Sequence, residues 1–182
     1  MTSGDRLYNS LFGDLVQRNF QDCLALNDSE VTSYITGLLS DFADSENLYK
    51  IRDTRGRRLD EVAEMMVESN PLLDAPSFDR ERAVRKHIGD FTLFLAGMFP
   101  ESLKTWRMRH ARLDSLIDYV KAGKESYNIV AAFNQFEYRK VAPLFRRLSD
   151  DFEMYVYGLH LVRQELDLGQ PDFAATVRDI IC

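Results

Sequence analysis

Two polar side chains interrupt apolar stripes at helical spacing, and they are the residues best placed for chemistry. His87 falls on one stripe, with Asp90 one turn further along the same predicted helix. Lys124 lies near the middle of a second stripe, which also carries Tyr127. Because an unpaired buried ammonium is costly, a lysine there must pair with an acid, reach solvent along its own methylenes, or face a cavity. In a cavity it could act as a base of shifted pKa, form a Schiff base or clamp an acidic ligand.

These residues support two interpretations. In the first, His87, Lys124 and Tyr127 are the polar anchors of an otherwise apolar ligand pocket, with Asp90 and Tyr155 beside them. In the second, His87 is a satisfied core histidine, Lys124 reaches solvent or pairs with a carboxylate, and the tyrosines are edges of the core. Residue types and spacing leave both interpretations open, because the facing of each side chain depends on how its helix is rotated.

The recurring metal, cofactor and catalytic motifs are missing from the sequence. None of the three histidines has a glutamate three positions before it, as a di-iron bundle requires. Zinc-binding histidine or cysteine pairs, glycine-rich phosphate loops and the nucleophile elbow of hydrolases are missing too. The two cysteines, Cys23 and Cys182, do not form a disulfide framework. We therefore expect no metal, no cofactor and no catalytic activity.

A basic segment surrounds Gly56 and includes Arg55, Arg57 and Arg58. Clustered guanidinium groups can hold a phosphate or an acidic partner, which makes these arginines a candidate anion site. Acidic residues interleave with them, however, so a solvated, salt-bridged surface explains the same pattern. The chain has a net charge of −6 and a pI of about 5.1, which argues against a nucleic-acid partner.

The apolar residues recur with the period of an α-helix throughout the chain. The second predicted helix follows the capping residues Asn27, Asp28 and Ser29 and ends near Asp44. The sixth, from about residue 140 to 167, carries a heptad seam that is typical of packed helical bundles. The members of this seam are Val141, Phe145, Leu148, Phe152, Tyr155, Leu159, Val162 and Leu166.

Further helices are predicted near residues 5–26, 59–69, 77–99, 112–136 and 172–181. No domain linker, repeat or β-hairpin signal separates them. Hydrophobic residues make up 45% and charged residues 29%, which is normal for a globular chain able to bury a core. The sequence therefore predicts an all-α, single-domain bundle of six to seven helices over residues 1–182.

The sixth predicted helix has a second apolar face, which gives the leading functional hypothesis. Met154, Tyr157 and Leu161 lie on that face, and Gly158 would admit a close neighbour. A long helix that is apolar on two sides is either central or part of an interface. We therefore expect a non-catalytic module that forms a homodimer or docks a partner protein. The alternative is a helical bundle, either an enzyme or a simple binding protein, that binds a small molecule or an acyl ligand. Its pocket would lie between the fourth, fifth and sixth helices.

No segment is apolar for long enough to span a bilayer, which needs roughly 20 residues. The longest strongly apolar stretch, Phe91–Phe99, is interrupted by Thr92 and Gly97. The first residues also lack the basic and apolar regions of a secretory signal. We expect a cytoplasmic protein without a membrane partner.

Overall fold

A computed structural model describes residues 3–70, 77–101 and 118–169, with the side chains of the first helix described from residue 9 onward. The described residues form eight α-helices, a π-helical turn at Asn19–Cys23 and a 3-10 turn at Phe136–Lys140. The helices are α1 Ser3–Arg18, α2 Ser29–Phe42, α3 Ser45–Leu48, α4 Val62–Glu68, α5 Phe78–Met98, α6 Tyr119–Ala132, α7 Ala142–Asp150 and α8 Phe152–Gly169. Within these described ranges, the only β pairing is an isolated bridge between Arg52 and Arg58.

Short polar side chains begin several of these helices by accepting hydrogen bonds from otherwise unpaired backbone N–H groups. The Oδ1 atom of Asp28 accepts from the N–H groups of Glu30 and Val31, at 3.1 Å each, and so begins α2. Ser77 begins α5 in the same way. The predicted capping chemistry at Asp28 is therefore confirmed.

Helix α5 is the centre of the bundle, because every residue from His87 to Phe99 is buried. Glycines on α5 let its neighbours approach closely: a Cβ on Gly89 would lie 2.5 Å from the ring of Tyr127 on α6. A Cβ on Gly97 would similarly lie 2.4 Å from the Cβ of Leu159 on α8. Both spacings are too short for real atoms, so α6 and α8 can pack this tightly only against glycine.

The predicted sixth helix is two helices, α7 and α8, which meet at Asp151. The heptad seam continues across the junction, and seven of its eight residues, from Phe145 to Leu166, are buried while Val141 is partly buried. The backbone N–H of Asp151 donates to the carbonyl of Arg147 at 3.0 Å, and its carbonyl accepts from Tyr155 at 3.2 Å. Asp151 itself has non-helical backbone angles, with φ of −107° and ψ of 25°, so the helix is interrupted there while the stripe that faces the core continues.

The all-α class is confirmed, and the helix count differs slightly from the prediction. The additional elements are the junction at Asp151 and the short helix α3, which the sequence indicated only as the end of α2. The predicted helix at 172–181 and the first residues of the predicted helix at 112–136 lie outside the described residues. No helix within the described part of the chain is long and apolar enough to cross a membrane.

Candidate functional site

A buried carboxylate, Asp90, is the hub of the most polar cluster inside the bundle. Its side chain is 3% exposed, and both of its oxygens accept hydrogen bonds. Oδ1 accepts from the hydroxyl of Tyr34 at 2.6 Å and from the hydroxyl of Tyr127 at 2.8 Å. Oδ2 accepts from Nζ of Lys86 at 2.7 Å. These four residues, called the Asp90 network below, join helices α2, α5 and α6.

Local helix geometry and close packing bring the network together. Lys86 and Asp90 are four residues apart on α5, so their side chains lie one turn apart on the same face. The ammonium of Lys86 also lies 5.1 Å from the ring centroid of Tyr34, within reach of a cation–π interaction. Gly89 leaves space for the ring of Tyr127, whose hydroxyl then reaches Asp90. Each partner therefore depends on a different helix being correctly placed.

Burial keeps both tyrosines of the network protonated. It raises the pKa of Tyr34 well above its ordinary value, and the neighbouring charge of Asp90 raises it further. The pKa of Tyr127 is raised for the same two reasons, again with burial as the larger cause. Both hydroxyls therefore act as hydrogen-bond donors to the carboxylate and are poor candidates for a catalytic base.

A cavity of about 200 Å³ lies between α2 and α5 and reaches the Asp90 network from the protein surface. Asp90 is its buried end, whereas Asp41 and Lys50 are exposed at its rim. We call it the Asp90 cavity. Its lining residues are Ser33, Tyr34, Gly37, Leu38, Asp41, Phe42, Lys50, Lys86 and Asp90. The cavity thus combines charged groups with an apolar wall, which is the usual composition of a small-ligand site.

His87 lies next to the Asp90 cavity but does not line it. Its ring is 1% exposed and packs against Phe42 and Phe91, with ring centroids 5.7 and 6.0 Å away. Neither ring nitrogen makes a hydrogen bond of ordinary geometry with a described residue, although the backbone of Leu48 lies nearby. Burial lowers the pKa of His87 to about 4, and the charge of Asp90 only partly opposes this. His87 is therefore a neutral ring in an aromatic setting.

Lys124 and Tyr155 lie away from the Asp90 cavity. Nζ of Lys124 is 3.0 Å from each oxygen of Glu153 on α8, and its side chain is 41% exposed. This hydrogen bond is the largest cause that lowers the pKa of Glu153. Tyr155 is buried against Phe20, with parallel rings 6.2 Å apart, and burial raises its pKa to about 12. Of the predicted pocket residues, the structure therefore brings together Asp90 and Tyr127, which share a hydrogen bond. His87 lies close by and packs against Phe42 in the wall of the cavity.

The three predicted anion-binding arginines occupy a tight turn around Gly56, which has a φ of +83°. Arg57 is paired with Asp53 at 3.2 Å and with Glu64 at 2.8 Å. The guanidinium of Arg58 lies over the ring of Tyr49, 4.7 Å from its centroid. Arg55 is exposed. Two of the three guanidinium groups are therefore already engaged within the chain.

A larger concavity of about 360 Å³ lies beside this turn, but its charges are mostly paired. Asp53 and Glu64 in its wall are held by Arg57, and Glu68 is held by Arg80 at 2.8 Å. The smaller Asp90 cavity has a buried charged network at its end and unpaired charges at its rim. We therefore take it, rather than the larger concavity, as the candidate functional site.

The predicted interface face of the sixth helix is divided between the core and the surface. Gly158 is buried, and a Cβ there would lie 2.5 Å from the ring of Phe20, so its close neighbour belongs to the same chain. Tyr157 is 55% exposed. Met154 and Leu161 are partly buried. A narrower apolar stripe therefore remains at the surface of α8.

Of the residues that line the Asp90 cavity, only Asp90 entered the predicted pocket, and those that were missed include Tyr34, Lys86, Asp41 and Lys50. A signal existed for two of them. Lys86 and Asp90 have the four-residue spacing of a helical ion pair, and Tyr34 lies on the apolar stripe of α2 with a hydroxyl that needs a partner. Nothing in the spacing of Lys50 indicates that the chain after α3 returns it to the rim of this cavity.

Comparison of the chain with protein-family models, curated proteins and solved structures gave no match. Among residues 3–70, 77–101 and 118–169, no group of three or more histidine, cysteine, aspartate or glutamate side chains is arranged to hold a metal ion. The geometry of the Asp90 cavity is therefore the main guide to the function of this protein.

Proposed function

We propose that this protein is a ligand-binding helical bundle that holds a small polar molecule in the Asp90 cavity without transforming it. One observation carries the proposal: a carboxylate that is 2% exposed, held by donors from three helices, forms the closed end of a cavity reached from the surface. Perturbed ionisable groups in a concave site are the usual mark of a binding site. A cytoplasmic location, as expected from the sequence, is part of this proposal.

Stability alone is a weak reason for such a network. An ion pair with one buried member, such as Lys86–Asp90, contributes little compared with a well-packed apolar pair, because the buried carboxylate loses its hydration. A cavity beside it forfeits packing contacts as well. A ligand that fills the cavity would restore those contacts, so ligand binding explains why the charges and the cavity occur together.

The same geometry favours binding over catalysis. Asp90 accepts three hydrogen bonds, so its lone pairs are largely occupied by donors of the protein. The two tyrosine hydroxyls keep their protons. The network therefore offers no free general base, and its groups are suited to orienting a ligand.

Thermal unfolding in the presence of small polar compounds tests the proposal. The compounds are acetate, inorganic phosphate, ethylamine, glycine and L-leucine, which represent anions, a cation and zwitterions of suitable size. A ligand at 100 times its Kd stabilises the folded state by about 2.7 kcal/mol and should raise Tm by roughly 5 to 10 °C. We expect at least one compound to do so for the wild-type protein.

Two lysine variants make this measurement specific to the site. Lys50→Met removes a charge at the rim of the Asp90 cavity and should at least halve the rise in Tm that an anion or a zwitterion causes. Lys124→Met removes a similarly accessible lysine that is paired with Glu153 elsewhere, so the rise should persist. A rise of equal size in both variants would place binding outside the cavity and refute the proposal.

Self-association through α8 is a second candidate function, favoured by the exposed apolar stripe on that helix. Tyr157 and Leu168 are 55% and 88% exposed, and Met154 and Leu161 continue the same face at helical spacing. Exposed apolar stripes of this kind are found at interfaces between subunits. The proposed partner is a second copy of the chain.

Light scattering during size-exclusion chromatography tests this second proposal. The wild-type protein at micromolar concentration should have the mass of a dimer, and Tyr157→Glu should shift it to the mass of a monomer. Phe78→Glu is the matched control, because it alters another exposed aromatic residue, 72% exposed, at the beginning of α5. A monomeric wild-type protein, or equal loss of the dimer in both variants, would argue against the α8 interface.

A further inference from the structure

Two opposite charges at the rim of the Asp90 cavity are not paired with each other or with any other described residue. Asp41 and Lys50 both line the cavity, and neither side chain makes a hydrogen bond or an ion pair in the described part of the chain. Opposite charges around one small cavity that do not neutralise each other can be bridged by a ligand that carries both charges.

Lys86 adds a second cationic group further inside. It donates one hydrogen to Asp90, and an ammonium has three, so two donors remain for a ligand. Its side chain is 35% exposed, so those donors are accessible. Lys50 and Lys86 together can hold one carboxylate of a ligand. Asp90 cannot hold the ligand's cation, because its own charge is already balanced by Lys86 and the two tyrosine hydroxyls.

Apart from Ser33 and the hydroxyl of Tyr34, the remaining wall of the cavity is apolar. Leu38 and Phe42 are buried, and Gly37 contributes no side chain. A short hydrocarbon group could pack there, and the volume of about 200 Å³ limits its size. The site therefore combines a place for an anion, a place for a cation and a short apolar surface.

From this arrangement we infer that the ligand is a small α-amino acid with an apolar side chain. Its carboxylate lies between Lys50 and Lys86, its ammonium lies against Asp41, and its side chain packs on Leu38 and Phe42. This inference rests on the proposed ligand-binding function and specifies the chemical class of the ligand.

Calorimetric titration of the full chain with three related compounds tests the inference. The probes are L-leucine, 4-methylpentanoate, which lacks the ammonium, and 3-methylbutylamine, which lacks the carboxylate. L-leucine should bind at least about tenfold more tightly than either analogue, because each analogue loses a charge-assisted contact. L-alanine and L-valine serve as smaller members of the same class.

Variants assign each charge to its contact. Asp41→Asn should bring the Kd of L-leucine to within about twofold of that of 4-methylpentanoate, because the ammonium contact is lost. Lys50→Met should weaken both compounds by about tenfold or more. Lys124→Met, which changes a lysine outside the cavity, should leave all three affinities unchanged. All three variants alter surface-accessible side chains and should fold normally.

The outcomes separate this inference from the proposed function. If 4-methylpentanoate binds as tightly as L-leucine and Lys50→Met weakens it, or if 3-methylbutylamine does so and Asp41→Asn weakens it, the amino-acid inference is wrong but the cavity still binds ligands. If L-alanine, L-valine and L-leucine all fail to bind, the inference is also wrong. The proposed function fails in addition if the wider panel of compounds leaves Tm unchanged, or if Lys50→Met and Lys124→Met show rises in Tm of equal size.

Discussion

Replacing Asp90 with alanine should lower the free energy of unfolding by about 3 kcal/mol, the largest effect we expect from a single substitution. The variant leaves the hydroxyl of Tyr127 buried without its acceptor and removes the counter-charge of Lys86. A buried polar group left unpaired costs about 1 to 3 kcal/mol, and removal of one member of a buried ion pair about 3 to 5 kcal/mol. We expect a loss at the lower end of the range for ion pairs, because Lys86 can turn toward solvent.

The chain offers a matched control for this experiment. Glu153 forms the other lysine–carboxylate contact of similar length, with Lys124 at 3.0 Å, but its side chain is 59% exposed. Glu153→Ala should therefore cost no more than about 1 kcal/mol. Asp90→Asn, which keeps an acceptor for the tyrosines, should fall between the two. Urea unfolding measures all three, and equal losses in Asp90→Ala and Glu153→Ala would contradict the central role of the Asp90 network.

Acid should destabilise the protein through His87, which gives the second large effect. Burial lowers the pKa of this histidine to about 4 in the folded protein, against an ordinary value of 6.5. As pH falls below 6.5, the unfolded chain takes up a proton that the folded protein does not accept. The stability that His87 contributes is therefore present above pH 6.5 and is lost as pH falls toward 4, by about 3 kcal/mol in total.

Comparison of the wild-type protein with His87→Leu isolates this contribution. Between pH 7 and pH 5 the histidine should account for about 2 kcal/mol of lost stability. The leucine variant should lack that part of the pH dependence, whatever its stability at pH 7. Urea unfolding at several pH values checks this, and parallel pH profiles for the two proteins would show that His87 is not held neutral by its surroundings.

The helical class could be predicted from the sequence because apolar residues recur at helical spacing in every long element. The heptad seam from Val141 to Leu166 correctly identifies the buried face of α7 and α8. It could not reveal the junction at Asp151, since the seam runs through the junction unchanged. Local caps such as Asp28 were also predictable, because they act on the nearest backbone groups.

The candidate site was only half predictable, because it depends on how helices are rotated about their axes. The ring of Tyr127 packs on Gly89, next to Asp90, and both Tyr127 and Asp90 were among the predicted pocket residues. Lys124 is three residues before Tyr127, about 60° away around α6 at about 100° per residue. That rotation turns it toward Glu153 instead of α5. Lys50 belongs to an irregular segment, where no periodicity indicates which cavity a side chain reaches.

Two-dimensional ¹H–¹⁵N NMR of the wild-type protein, titrated with the compound that raises Tm most, tests the central claim most directly. If the Asp90 cavity is the binding site, the amide signals that shift should belong to residues 33–42, Lys50 and residues 86–90. A compound that instead shifts signals around the larger concavity beside the turn at Gly56, or along α8, would contradict the claim. A panel in which no compound shifts any signal would contradict it as well.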